Sequence, residues 1–135
     1  MRVAAVVGVL SALASASCVN SPPNGSFSVQ LSGSASPNTP PIKHPIVAPH
    51  DGPLRVTLTW QNPTVDLDLF LTPASCTDPL SLSCQVISAS TAGTPVITET
   101  VTGRAVAGAS QLTVWVIYFT SSGPVQPYTL KIDVN

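Results

Sequence analysis

Apolar and polar positions alternate along much of the chain. SFSVQLSGS (26–34) sets Phe27, Val29 and Leu31 on one side and Ser26, Ser28 and Gln30 on the other, the period of a half-buried strand. After a break at PNTPP, residues 42–47 predict a short edge strand, because Pro45 cannot donate to a ladder and belongs at a sheet margin. HDGP (50–53) is a turn signal, and the next segment alternates strictly, with Leu54, Val56, Leu58 and Trp60 against Arg55, Thr57 and Thr59. QNPT (61–64) turns the chain, and Leu67, Leu69 and Leu71 resume an apolar face with Asp66, Asp68 and Phe70 opposite it. Read as an antiparallel hairpin, this return sets Asp68 across from or diagonal to Thr57 and Thr59.

QVISAS, PVITETVTG and QLTVWVIYFT predict further strands, the last apolar on both faces as a central strand is. YTLKIDVN closes the chain with Tyr128, Leu130, Ile132 and Val134 inward. Nothing repeats with a helical period. Short strands separated by Pro and Gly turns predict an all-β, antiparallel β-sandwich over residues 26–135.

The first residues read as an address. MRVAAVVGVLSALASASC has one positive residue, an apolar run over 3–13 and small residues up to Cys18, the make-up of a signal peptide over 1–17. That run is too short for a permanent membrane span, which needs roughly 20 apolar residues. Ala14-Ser15-Ala16 suits ordinary cleavage, whereas the residues before Cys18 resemble a lipobox, whose cysteine is lipidated. Cysteine pairing bears on the choice. Cys76 and Cys84 share one loop and are the disulfide candidates, which leaves Cys18 odd unless it carries lipid. An exported envelope lipoprotein is therefore the expectation, with plain secretion as the alternative, and residues 18–25 form a Pro-rich flexible tether.

Composition changes the picture by exclusion. The 135 residues suit one modest domain, expected to be a monomer, and charged residues are only 8% against 44% hydrophobic. Removing Arg2 with the signal takes the net charge from −1 to about −2, which leaves no footprint for nucleic acid or anionic lipid. The membrane is then reached only through an N-terminal lipid. His44 and His50 lie in a Pro-interrupted edge and a turn, and no CxxC, HExxH or phosphate-binding loop is present, so an enzyme is not expected. Carboxylates two apart on one strand face do not flank a substrate bond as a glycosidase pair does.

GPLRVTLTW followed by VDLDLFL, with SQLTVWVIYFT and QPYTLKIDV near the end, resembles the bacterial pre-peptidase C-terminal (PPC) domain. The resemblance covers residues 26–135 and implies a jelly-roll-like sandwich of the kind appended to secreted proteases and found in other exported proteins. A sandwich without an attached protease is the expectation for this chain. Some members of that family bind calcium, which makes Asp66 and Asp68 the metal candidates. Calcium takes 6–8 oxygens, so Asp51, Glu99, Asp133 or loop carbonyls would have to converge on them. The competing reading is structural, with Asp66 accepting from turn amides around Asn62 to Thr64 and Asp68 pairing with Thr57, Thr59 or an arginine.

Trp60, Trp115, Tyr118 and Phe119 read as core rather than as a sugar platform, and Phe70 and Trp115 are the better surface-binding candidates. The expectation is a non-catalytic binding or adhesion module of the cell envelope, with a protein or polysaccharide partner and no cofactor unless calcium. The alternatives are a structural accessory lipoprotein without a ligand, and a calcium-stabilised accessory domain of a secreted protease system.

Overall fold

The computed structural model describes residues 25–108 and 111–135. The signal segment and the lipidation candidate Cys18 lie outside the described residues. The strands are β1 (Phe27–Ala35), β2 (Ile42–Ile46), β3 (Gly52–Trp60), β4 (Leu67–Pro73), β5 (Ser88–Ser90), β6 (Thr98–Ala105), β7 (Leu112–Tyr118) and β8 (Gln126–Val134). They form two four-stranded sheets, ordered β1-β8-β3-β6 and β2-β7-β4-β5, with every strand pair antiparallel. Successive strands mostly switch sheets, and this order is that of an eight-stranded jelly roll. The all-β antiparallel sandwich is thus the fold.

Alternation drives the packing. Leu54, Val56 and Leu58 of β3 and Leu130, Ile132 and Val134 of β8 face Leu67, Leu69 and Leu71 of β4 and Val114 and Val116 of β7, all buried in one core. Each such side chain contributes roughly 1.5–3 kcal/mol relative to an exposed position. Pro45 sits in β2, at a margin of its sheet, where its missing N–H costs no central ladder bond.

The hairpin between β3 and β4 does not form. β3 pairs with β6 and β8, whereas β4 pairs with β5 and β7, so residues 61–66 are a corner that carries the chain from one sheet to the other. Two inward apolar faces are satisfied equally by strands side by side or by strands stacked across a core, and stacking buries both. Asn62 shapes the corner by accepting from the Thr64 amide at 3.0 Å, and the Trp60 indole N–H clamps it by donating to the Val65 carbonyl at 3.0 Å. Asp68 consequently lies opposite Ile117 of β7, far from the Thr57 and Thr59 it was expected to meet.

Cys76 and Cys84 are joined, closing a small ring in the loop between β4 and β5. Among the described residues no helix is long and apolar enough to cross a membrane.

Candidate functional site

The β4 strand turns Asp68 to the outward side of its sheet, yet the side chain is only 4% exposed, and Asp66 stands just before the strand. Glu99 of β6 joins them. It falls in the inward phase of Val101 and Ala105 and is 2% exposed. Its Oε2 accepts from the Leu69 amide at 3.0 Å and its Oε1 from the Ala92 amide at 2.6 Å, tying the margin of β4 to the 91–97 loop. Of the carboxylates named as possible partners, only Glu99 comes near the aspartates. Asp51 accepts from the Ala107 amide at 2.7 Å, and Asp133 pairs with Lys131 at 3.1 Å on the other sheet.

Burial dominates the electrostatics of this cluster. It pushes the Asp68 carboxyl up to about 6, with the neighbouring Asp66 charge adding to the effect. It pushes Glu99 up to about 7; the Ala92 and Leu69 amides oppose that rise, and the Asp68 and Asp66 charges reinforce it. Asp66 is raised by the same cause. Neither aspartate side chain has a hydrogen-bond partner among the described residues, and one Asp66 oxygen is buried without one. The turn amides expected at Asp66 are taken instead by Asn62.

These residues do not fit a calcium cage. Both Glu99 oxygens are engaged by amides, leaving two carboxylates for an ion that takes 6–8 oxygens. Among the described residues no group of three His, Cys, Asp or Glu side chains is arranged for a metal.

The aromatic expectations are corrected in part. Trp115 is 4% exposed, because its ring lies beneath Lys43 and its indole N–H donates to the Thr72 hydroxyl at 2.9 Å, so it offers no surface platform. Phe70, its cross-strand neighbour, is half-buried. Phe119, read as core, is instead 65% exposed just past the end of β7. His44 points into the sandwich and is hydrogen-bonded to the Tyr128 hydroxyl at 2.8 Å; burial lowers the imidazole pKa and raises the phenol to about 12, leaving both neutral at pH 7.

The open surface is the outer face of the β1-β8-β3-β6 sheet. Apart from Pro53 and Pro127, the outward side chains of β3 and β8 are polar, and three shallow depressions overlap along the face. One of about 610 Å³ reaches Trp60 and Gln61 at one end, one of about 460 Å³ occupies the middle, and one of about 540 Å³ reaches Pro53 and Asn135 at the other end. The first two share Thr59 and Thr129, and the last two share Arg55, Lys131 and Asp133. Together they make a trough along strands of nine residues, roughly 30 Å long. The outward phase of Arg55 and Lys131 was legible in the alternation, whereas Arg104 lies beyond the strand read as PVITETVTG, and nothing local said that β3, β6 and β8 would be neighbours.

No family model matches the sequence, and no curated protein matches it. Among solved structures, the Yersinia pseudotuberculosis-derived mitogen is similar, with a TM-score of 0.54 over 81% of this chain and 86% of that one. The two sequences are 13% identical, so the likeness is one of fold: this chain is built as a β-sandwich like the mitogen's.

Proposed function

We propose that the chain is a non-catalytic binding module, exported and held at the cell envelope through Cys18, which engages its partner with the outer face of the β1-β8-β3-β6 sheet. The observation that carries this reading is the continuous open trough on that face, which no other element covers among the described residues. On the opposite sheet the outward residues Thr72, Thr113, Trp115 and Ile117 are buried, so the molecule has one open sheet face and one closed. Resemblance of the VDLDLFL and QPYTLKIDV segments to PPC domains favours the same role.

Both histidines are in structural contacts, His44 with Tyr128 and His50 with the Asp51 carbonyl, which favours binding over hydrolysis. No cofactor is assigned, and millimolar calcium is expected to leave the unfolding midpoint unchanged. The reading is tested by mixing labelled protein with isolated envelope fractions of the producing cell. Saturable sedimentation, displaced by unlabelled protein, is the expected result. Sedimentation that neither saturates nor is displaced overturns the binding role.

A further inference from the structure

On the open face, strand register lays side chains out in rows. Lys131, Thr57 and Thr100 share one row across β8, β3 and β6, and Asp133, Arg55 and Thr102 share the next. Arg55 stands at the centre, with Lys131 diagonal to it on β8 and Arg104 diagonal on β6. Diagonal neighbours lie about 7–8 Å apart, within reach of long side chains. The one carboxylate in these rows, Asp133, is held below the usual carboxylate range by hydrogen bonds from the Ser28 hydroxyl and from Lys131, the latter at 3.1 Å. Arg55 faces that carboxylate directly across β3 and β8 and acts on it by charge without closing an ion pair, whereas Arg104 has no ion-pair or hydrogen-bond partner among the described residues.

A chain with a formal charge of −1 therefore concentrates cations on its open face and buries Asp68 and Glu99 elsewhere. Clustered cations raise the local concentration of anions. A guanidinium also presents paired donors that match a carboxylate or sulfate.

We infer that this face binds an acidic polysaccharide, whose carboxylate or sulfate groups meet Arg55, Arg104 and Lys131 and whose hydroxyls run along the threonine rows. The inference rests on the binding-module reading and names its ligand class. A protein partner would call for buried aromatic or apolar anchors, and the rows present none. Single-stranded nucleic acid would call for aromatic stacking platforms, which are likewise lacking there. A lipid surface would call for apolar side chains to insert. A trough roughly 30 Å long, lined by threonines along its middle and cationic over one part, suits a charged, hydroxyl-rich polymer.

The test uses the full processed protein and polygalacturonate as probe, with neutral dextran as control, in 50 mM salt. Retention by polygalacturonate and none by dextran is expected. Raising the salt to 200 mM should weaken binding, and Arg55→Gln with Arg104→Gln should weaken it roughly tenfold, the equivalent of about 1.4 kcal/mol. The unfolding midpoint should stay in place, because both side chains are exposed. Should the double variant be unstable, Arg104→Gln alone, near the end of β6, should still show a severalfold loss. Equal retention of wild type and double variant overturns the inference, as does equal binding to dextran, to phosphatidylglycerol vesicles or to single-stranded DNA. If the double variant still sediments saturably with envelope fractions, the binding role stands and only the ligand class fails; if wild type does not sediment at all, the binding role itself fails.

Discussion

Glu99 does with one side chain what a longer β5 would do with backbone. Ser90, across from Leu69, is the last residue of β5, and there the Leu69 amide finds its acceptor on the Glu99 carboxylate, whose second oxygen holds the Ala92 amide. Glu99→Ala leaves both amides without that acceptor, at about 1–3 kcal/mol each, whereas Glu99→Gln keeps one carbonyl oxygen and should cost markedly less. Urea midpoints decide it, and equal losses in the two variants refute the role. The same cluster sets a pH dependence. Asp68 at about 6 and Glu99 at about 7 bind protons more tightly folded than unfolded, where they titrate near their ordinary values of 3.8 and 4.5. Their stabilising effect is full below pH 4 and is lost as pH rises through 6 and 7. Each contributes a slope of up to about 1.4 kcal/mol per pH unit in that window. Stability should therefore be higher at pH 5 than at pH 7.5, and Asp68→Asn should reduce the difference, leaving the part carried by Glu99. A midpoint that climbs with pH between 5 and 7.5 contradicts the assignment.

At the level of elements, β1 is an edge strand that approaches β8 through Gly33, paired directly with Tyr128. A methyl group at Gly33 would sit 2.5 Å from the Tyr128 ring carbon Cζ. The ring is itself held by His44 of the facing sheet, so it has no free direction in which to yield. Gly33→Ala should cost about 1–3 kcal/mol, the usual range for overpacking, and an unchanged urea midpoint would show that β1 shifts freely. The disulfide ring is different in kind. Cys76 and Cys84 are eight residues apart, and Leu80 and Leu82 within the ring are exposed, so the bond restricts the unfolded chain more than it packs the core. Reduction should lower stability by about 2–3 kcal/mol and leave the far-ultraviolet spectrum intact.

For the whole molecule, the corner at 61–66 and the strand order decide which charges become neighbours. Acidic groups from β4 and β6 are buried together, and cations from β3, β6 and β8 share the open face. β1 begins at the end of the sandwich where Phe27 pairs with Val134. If Cys18 carries the anchor, Cys18→Ala should move the protein from the membrane fraction to the soluble fraction with its unfolding midpoint unchanged. Continued membrane association would refute a lipid anchor at that position.

Strand existence and inward phase were determined by the sequence alone, because a period of two has one solution once a core exists. Leu54, Val56, Leu58 and Trp60 point inward in whichever sheet β3 occupies. The disulfide was legible for a similarly local reason, since Cys76 and Cys84 lie eight residues apart in one loop. Partnership between strands was not legible. A hairpin and a sandwich corner satisfy the same alternation between β3 and β4, and only the competition among all the strands for backbone partners put them in opposite sheets. That choice removed Asp68 from Thr57 and Thr59. It also buried Trp115, a residue outside the inward phase of β7, through Lys43 and Thr72, which belong to distant segments. The cationic face arose in the same way: outward phase could be read residue by residue, but adjacency across strands is a long-range property and exists only in the folded sheet.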